Sequence, residues 1–259
     1  MDEQKYTFGD NEQASLRLRR LAEIYEQETR EVLQRSGVRT PRLAVDLGCG
    51  PGWSTQLINN VLSPVRTVGL DASDRYIAEA RKQHTGLEFK VHDIARAPFP
   101  VEMPDVLFCR FVLTHVRAVA EVLRTWASVA AQGALLFVHE TESMETENPS
   151  LRRYYEMVAQ LQKHYGQTLE VGSILEASFE NSGWRLSENR RLLLAKPADQ
   201  MAGLHLANLR TWRHDAYASQ AFDPNEVDRL EASLEQIALG LGNCRVVVNA
   251  ARQIIAQRI

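Results

Sequence analysis

The chain has 259 residues, of which 44% are hydrophobic and 24% are charged, and its formal net charge is −3. This length can bury a substantial core, either as one elaborated domain or as a domain with a cap. The slightly negative net charge argues against a nucleic-acid-binding protein, which typically has an excess of basic residues. No apolar run approaches the length of a membrane span.

The N-terminus and the cysteines indicate the compartment. The first residues, Met-Asp-Glu-Gln-Lys-Tyr, lack the apolar core of a signal peptide. Cys49, Cys109 and Cys244 are odd in number and lack the spacing of metal ligands, so we expect buried thiols in a reducing environment. The sequence therefore predicts a cytoplasmic protein without a metal ion, a nucleic-acid partner or a membrane partner.

The first predicted element is a charged amphipathic helix over residues 11–36, which Gly37 and Pro41 end. The segment Leu43–Ser54 then reads LAVDLGCGPGWS, an apolar run typical of a buried parallel strand followed by three glycines. Glycine permits positive φ and lets a ligand lie against the main chain. Bare backbone N–H groups and a helix N-terminus therefore predict a ligand site at this turn.

From residue 43 the pattern alternates between strands and helices. The predicted strands lie near 43–47, 66–71, 87–92, 105–110 and 134–139, and the helices near 53–62, 73–83 and 117–131. This alternation predicts a parallel sheet with helices on both faces. Right-handed crossovers make the sheet doubly wound and place its ligand crevice at the C-terminal ends of the strands.

The regular alternation of strands and helices ends after Glu140. The predicted helices lie at 149–165, 173–182, about 197–214 and 223–240, and the predicted strands at 184–195 and 244–253. The two strands are expected to form a hairpin. The helices inserted between them are expected to cover the crevice as a partial lid.

The spacing of the glycines argues against a dinucleotide site. The dinucleotide fingerprint is G-x-G-x-x-G, whereas this turn reads G-x-G-x-G, with Trp53 at the third glycine's position and Asp46 before the first glycine. A nucleotide-dependent oxidoreductase is therefore the disfavoured alternative. The segment Val45–Gly52 resembles the first motif of the class I S-adenosylmethionine (SAM)-dependent methyltransferases, and the chain resembles their small-molecule group with a helical cap.

The resemblance implies a fold and a domain organisation. The fold is α/β, a doubly wound, Rossmann-like, mostly parallel seven-stranded sheet with an antiparallel edge hairpin and a helical cap. Residues 1–40 would form an N-terminal helical cover. Residues 41–259 would form the SAM-binding domain, with cap segments at about 141–182 and 197–242. Because several such enzymes pair through their caps, the resemblance is also compatible with a homodimer.

The N-terminal cover depends on a weaker pattern. The arrangement Tyr6-x-x-Gly9 followed by Arg17-Leu18 resembles the cover of many small-molecule methyltransferases. A helix simply packed on the sheet edge remains the alternative.

The resemblance assigns SAM as the cofactor and distributes its parts over the strand ends. The residues implied at the methionyl end are Asp46, Gly48, Cys49 and Gly50. Asp71, followed by Ala72, closes the second strand at a distance from the glycine turn that suits an acid accepting hydrogen bonds from the ribose hydroxyls. The alternative role of Asp71 is to cap the helix that follows, but Ser73 or Asp74 can do this instead.

Two further strand ends complete the implied cofactor site. Asp93 would accept from the adenine amine while Ile94 packs on the ring, and a turn or capping acid is the alternative. Arg110 ends the fourth strand and would pair with the cofactor's carboxylate, a contact worth about 1.5–3 kcal/mol if shielded. A surface arginine is the alternative for Arg110.

Methyl transfer from a sulfonium is an in-line displacement that needs alignment and exclusion of water but no metal or covalent intermediate. A hydroxyl acceptor would also need a base. His115 and Glu140 are the leading candidates, because their strand ends face the cofactor, and the weaker histidines are His139, His164, His205 and His214. A carboxylate, unprotonated amine or activated carbon would need no strong base.

The acceptor is expected to be a small molecule. The aromatic side chains of the cap are Tyr154, Tyr155, Tyr165, Trp212 and Tyr217. They suit an apolar or aromatic substrate, although packing in the cap explains most of them equally well. The position after the fourth strand reads Cys109–Val112, which lacks the Asn/Asp-Pro-Pro-Tyr/Phe segment of nucleic-acid methyltransferases. A protein of this fold that binds SAM without methyl transfer remains the alternative function.

Overall fold

Residues 12–259 are described in the computed structural model. The predicted N-terminal pattern Tyr6-x-x-Gly9 therefore lies outside the described residues. None of the helices in the described part of the chain combines the length and the apolar composition that crossing a bilayer requires.

A seven-stranded sheet forms the centre. Its strands are β1 (Leu43–Leu47), β2 (Arg66–Asp71), β3 (Glu88–Val91), β4 (Val106–Arg110), β5 (Leu135–Glu145), β6 (Trp184–Pro197) and β7 (Val246–Arg258). The spatial order is β3-β2-β1-β4-β5-β7-β6. Strands β1 to β5 are parallel, whereas β7 pairs antiparallel with β5 and with β6. The predicted mostly parallel sheet with an antiparallel edge hairpin is confirmed.

The register brings the predicted site residues to one edge. Leu47 in β1 is level with Leu70 in β2 and with Cys109 in β4, and Arg110 is level with His139 in β5. The carboxyl ends of the parallel strands therefore meet, as the doubly wound topology requires. All five residues of β1 are buried, because both faces of a central parallel strand are covered by helices.

The N-terminal region contains two helices, where the sequence predicted one over 11–36. These are α1 (Glu12–Ile24) and α2 (Glu26–Arg35), separated at Tyr25. Tyr25 is buried, its hydroxyl accepts a 2.7 Å hydrogen bond from Asn249 in β7, and its ring meets Phe111 edge-on at 4.8 Å. The bend at Tyr25 lets α2 pack on α3 (Trp53–Leu62) while α1 reaches the cap.

A buried ion pair holds α2 against the edge hairpin. Lys196 in β6 donates to Glu28 at 2.6 Å and to the carbonyl of Ile24 at 2.7 Å, and its ammonium lies 4.7 Å from the Tyr25 ring centroid. These contacts attach the N-terminal helices to a strand that is distant in sequence.

The remaining helices fall into two groups. α4 (Asp74–Gln83) and α5 (Val119–Val129) connect parallel strands, and the cap consists of α6 (Pro149–His164), α8 (Ala198–Trp212), α9 (Ala218–Ala221) and α10 (Pro224–Ala238). The short helix α7 (Leu175–Ser178), predicted as part of the cap, instead packs against α5, with Leu175 in the core of the sheet. The predicted helix at 173–182 is shorter, because a 3-10 turn at Val171–Ile174 precedes α7. Helices α6, α8 and α10 share an apolar core separate from that of the sheet, with Leu161, Leu209 and Trp212 fully or almost fully buried.

Candidate cofactor and acceptor site

The glycine turn after β1 has a backbone that only glycine tolerates. Gly48, Gly50 and Gly52 have φ values of 72°, 52° and 90°. A Cβ on Gly48 would lie 2.6 Å from a methyl carbon of Val112, which is closer than van der Waals contact allows. The turn is therefore shaped for close approach of another group to its main chain.

Two hydrogen bonds to one carbonyl group hold the turn against the end of β2. The backbone N–H groups of Gly48 and Cys49 donate to the carbonyl of Leu70 at 2.8 and 3.0 Å. Cys49 is buried against Gly69, where its sulfur would lie 2.8 Å from an added Cβ. The Cys49 side chain thus packs under the turn and leaves its backbone at the surface of the site.

Asp71 lies beside the turn at the end of β2. One carboxylate oxygen accepts from the N–H of Gly50 at 2.9 Å and the other accepts from the N–H of Ser73 at 2.9 Å. The cap of α4 is Ser73, whose hydroxyl accepts from the N–H of Tyr76, so Asp71 is not needed as a helix cap. A carboxylate oxygen can accept more than one hydrogen bond, and two such oxygens at a strand end suit a vicinal diol. The adjacent Ala72 is exposed at this edge.

Asp46 takes a deeper position than the sequence suggested. It is buried, and one oxygen accepts from the hydroxyls of Ser54 and Thr55 at 2.6 and 2.7 Å. Burial raises the pKa of Asp46 to about 6, opposed by these hydrogen bonds. The visible contacts of Asp46 therefore tie β1 to the start of α3.

The next strand end carries Asp93 and Ile94. Asp93 is partly exposed, accepts from the N–H of Ala95 at 3.0 Å and pairs with Arg96 at 3.0 Å. Ile94 is buried, and its carbonyl accepts from the indole of Trp126. The loop after β3 is held next to Asp71, because the N–H of residue 92 donates to the carbonyl of Asp71 at 2.8 Å.

Arg110 is turned toward the N-terminal helices. Its guanidinium donates to the hydroxyl of Thr29 at 2.8 Å and to the carbonyl of Tyr25 at 3.4 Å. Burial lowers the pKa of Arg110, with Asp46 acting in the opposite direction. Arg110 lines a cavity of about 160 Å³ between α1, α2 and α3, together with Trp53.

A second cavity, of about 120 Å³, lies between the sheet edge, α1 and the cap. We call it the acceptor cavity. Its polar and aromatic lining residues include Arg17, Tyr25, Phe111, His115, Glu140, Tyr154, Tyr155, Gln162, His205, Asn208 and Asn249. The structure thus brings the two candidate catalytic residues, His115 and Glu140, to one cavity.

Several other candidates lie elsewhere. His139 is buried beside Gln253 at 3.3 Å, His164 stacks on Tyr217, and His214 is exposed. Among the cap aromatics, Trp212 belongs to the cap core, and Tyr165 bonds to Asp215. The contacts of these residues are therefore those of packing and structural hydrogen bonding.

Glu140 holds the loop that follows β4. One carboxyl oxygen accepts from the N–H groups of Val112 and Leu113, both at 2.8 Å. The other oxygen is buried and has no hydrogen-bond partner among the described residues. Burial raises the pKa of Glu140 to about 7, against these hydrogen bonds. A carboxyl group with this pKa changes its protonation state close to neutral pH.

His115 differs from Glu140 in its protonation. Desolvation and then the positive charge of Arg17 lower the pKa of His115 to about 3, so its imidazole is neutral at pH 7. A base with so low a pKa holds a proton weakly. Of the two candidates, Glu140 therefore has the pKa better suited to proton transfer at neutral pH.

The cavity residues that were not candidates for the site in the sequence include Arg17, which was assigned only to the N-terminal cover, Asn208 in α8 and Asn249 in β7. Arg17 is 5% exposed and is the only Lys or Arg that lines the acceptor cavity among the described residues. The sequence feature that could have identified Arg17 is its position next to Leu18 and near Leu21, on the apolar face of α1. Asn249 carries no such signal, because an asparagine in an apolar strand identifies neither its face nor its neighbours.

The sheet order, the glycine turn after β1 and the acid at the end of β2 define a Rossmann-like domain with a ligand crevice at the carboxyl ends of its parallel strands. Residues 45–138 match the family model described as a methyltransferase domain. A trans-aconitate 2-methyltransferase from Methylobacterium nodulans is 35% identical over 123 residues, which cover 48% of this chain and 47% of that protein. The chain spans about half the length of the curated relatives it matches.

Solved structures agree in fold. The BH2331 protein of Bacillus halodurans C-125 aligns with a TM-score of 0.62 at 13% identity, covering 89% of this chain and 98% of that chain. Phosphoethanolamine N-methyltransferase 2 of Haemonchus contortus, in complex with SAM, aligns with a TM-score of 0.54 at 15% identity, covering 90% and 52%. Residues 45–138 are therefore similar in sequence to methyltransferase domains, and the described part of the chain shares the fold of these solved structures.

The raised pKa of Glu140 makes stability depend on pH. The group binds a proton more tightly when folded than at its ordinary pKa of 4.5, so its stabilising effect is complete below pH 4.5 and is lost as pH rises through about 7. We expect Glu140→Gln to match the wild type near pH 4.5 and to exceed it at pH 8 by up to about 3 kcal/mol in the free energy of unfolding. Urea titrations of both proteins from pH 4.5 to 8 measure this difference, and parallel stability curves would contradict it.

Proposed function

We propose that this protein transfers a methyl group from SAM to a small-molecule acceptor, with a carboxylic acid as the preferred acceptor. The observation that carries the proposal is the contact between the glycine turn and the acceptor cavity. Leu18 lines the cavity and lies 3.2 Å from the position of a Cβ on Gly50. Phe111 lines the cavity, and the adjacent Val112 packs on Gly48. One layer of side chains thus separates the two sites.

The residues at the strand ends suit SAM. Asp71 would accept from the ribose hydroxyls, Asp93 would accept from the adenine amine beside Ile94, and the backbone of Gly48 and Gly50 would approach the methionyl end. Arg110 would supply a positive charge to the cofactor's carboxylate, with Asp46 and Cys49 shaping the turn from below. When bound, SAM supplies a methyl group on a sulfonium, which is activated for in-line displacement.

The size and the lining of the acceptor cavity favour a small molecule. The cavity is bounded by the sheet edge, α1, α6 and α8, and Tyr154, Tyr155 and Phe111 contribute aromatic surface. A fixed position of the acceptor between these elements would supply the alignment that an in-line displacement needs.

The charge in the acceptor cavity favours an anion. Arg17 contributes a permanent positive charge, and burial keeps the imidazoles of His115 and His205 neutral, with pKa values of about 3. Glu140 is the acid that lines the cavity among the described residues, and its pKa of about 7 leaves it only partly ionised at neutral pH, so it attracts a protonated amine less than an ordinary carboxylate would. The relative from Methylobacterium nodulans is named for trans-aconitate, which makes this tricarboxylate the first acceptor to test.

Glu140 would act differently on two kinds of acceptor. A carboxylate oxygen is already a nucleophile, so with such an acceptor the protonated Glu140 would donate a hydrogen bond to it. A hydroxyl acceptor must lose its proton, and the ionised Glu140 would take it.

Calorimetric titration tests the cofactor. We expect SAM and S-adenosylhomocysteine to bind, NAD not to bind, and Asp71→Asn to weaken both adenosyl ligands roughly 10- to 100-fold through altered hydrogen bonds to the ribose. Asp74→Asn is the matched control, because Asp74 is exposed in the first turn of α4. Tight binding of NAD, or equal affinities in wild type and Asp71→Asn, would mean that the glycine turn serves another ligand.

An acceptor panel tests the reaction and the role of Arg17. We expect S-adenosylhomocysteine to form with trans-aconitate or another acid from a panel that also contains citrate, succinate, benzoate, amines and phenols. Arg17→Gln should raise KM for the acids roughly 10- to 100-fold, since a charge-assisted hydrogen bond is lost. Arg20 lies one helical turn after Arg17 on α1 and is exposed, so Arg20→Gln should leave KM unchanged. Bound SAM without turnover of any acceptor would favour the non-methylating alternative.

Glu140→Gln separates the two roles of Glu140. Glutamine keeps a donor and an acceptor but cannot take a proton. We expect kcat for carboxylic acids to stay within about threefold of the wild type, and kcat for any hydroxyl acceptor to fall roughly 10²- to 10⁴-fold. Parallel losses with both kinds of acceptor would exclude the donor role.

A further inference from the structure

A hydrogen-bonded tyrosine and histidine form part of the cap wall of the acceptor cavity. The hydroxyl of Tyr155 in α6 lies 2.8 Å from Nε2 of His205 in α8. Both side chains are buried, with exposed fractions of 8% and 6%, and both line the cavity. Tyr154 stacks on the His205 ring at 4.5 Å, which restricts its rotation.

The surroundings determine which atom donates in this hydrogen bond. Within the described part of the chain, the Tyr155 hydroxyl has His205 as its hydrogen-bond partner and no other. With Tyr155 as the donor, the buried phenol O–H is satisfied and Nε2 accepts; with His205 as the donor, that O–H would have no partner among the described residues. Burial raises the pKa of Tyr155 above its ordinary value and lowers that of His205 to about 3, so the phenol keeps its proton and the imidazole is neutral.

A neutral imidazole that accepts at Nε2 carries its proton on Nδ1. Nδ1 of His205 is buried and has no hydrogen-bond partner among the described residues. A buried N–H group without a partner costs free energy, and this one belongs to a side chain that lines the acceptor cavity. A ligand that supplies an oxygen would recover this free energy.

We propose that His205 determines acceptor specificity by donating a hydrogen bond from Nδ1–H to a carboxylate oxygen of the acceptor, and that Tyr155 is the positioning residue that fixes this tautomer. The proposal rests on the proposed function and adds a second anchor to Arg17. A carboxylate fits both anchors, because a guanidinium and an N–H group both donate and neither accepts. A protonated amine fits neither of them.

The tautomer can be measured without any acceptor. In protein labelled with ¹⁵N-histidine, the His205 resonances are assigned by their loss in His205→Phe. We expect a neutral imidazole protonated at Nδ1 at pH 7, and a shift toward the Nε2–H form in Tyr155→Phe. An Nε2–H imidazole or an imidazolium in the wild type would overturn the proposal, whether or not the protein transfers a methyl group.

Kinetics with the carboxylic acids named above test the contact with the acceptor. His205→Phe keeps an aromatic ring but has no donor, and should raise KM for the acid roughly 10- to 100-fold with kcat within about threefold. His205→Asn places an amide N–H near the position of Nδ1 and should restore most of the loss.

The matched controls come from a second aromatic pair in the cap. His164 stacks on Tyr217 at 3.9 Å, and neither residue lines the acceptor cavity. His164→Phe and Tyr217→Phe should leave KM unchanged, and the affinity for S-adenosylhomocysteine should be the same in all variants. Equal KM values for wild type and His205→Phe would overturn the proposal. Absence of adenosyl-ligand binding in the wild type would instead refute the proposed function. The tautomer measurement would still test the proposal for His205 and Tyr155.

Discussion

The site depends on the reversal of the chain after β1. Two successive N–H groups, those of Gly48 and Cys49, donate to the single carbonyl of Leu70, and the N–H of Gly50 donates to Asp71. These bonds satisfy donors that a buried strand end would otherwise leave unpaired, which the burial of the turn requires. This path of the backbone has positive φ values and close contacts, and both favour glycine at these positions. The carboxylate at the end of β2 is consequently held against the turn.

A second carboxyl group organises the opposite side of the same crevice. Glu140 accepts from the N–H groups of Val112 and Leu113, so the loop after β4 is tied to β5. Val112 then packs on Gly48, and Phe111 faces the acceptor cavity with a φ of 55°. The same loop thus contacts the cofactor turn on one side and forms a wall of the acceptor cavity on the other. Burial raises the pKa of Glu140, and the hydrogen bonds from the N–H groups of Leu113 and Val112 act in the opposite direction.

The acceptor cavity exists because three separate parts of the chain converge on the sheet edge. α1 contributes Arg17, the cap contributes Tyr155 and His205, and the edge strands contribute Glu140 and Asn249. The bend at Tyr25 and the buried pair of Lys196 with Glu28 hold the N-terminal helices in this position. The polar groups of the cavity wall are oriented by their own hydrogen bonds, as the pairing of Tyr155 with His205 illustrates. Groups held in this way lose little freedom when a ligand binds, so their interactions contribute more to affinity.

The sequence by itself determined the parallel sheet, the edge hairpin and the glycine turn, because strand alternation, crossover handedness and positive φ are local or topological constraints. It also located Asp71, whose place follows from the length of one strand–turn–helix unit and the next strand. Only the tertiary structure decided that Asp46 is buried under the turn, that the helix over 11–36 breaks at Tyr25, and that Arg17, His205 and Glu140 line one cavity. Burial, pKa and the contacts between distant segments depend on how helices pack, and hydrophobic periodicity identifies a helix's buried face but not the residues that this face will meet.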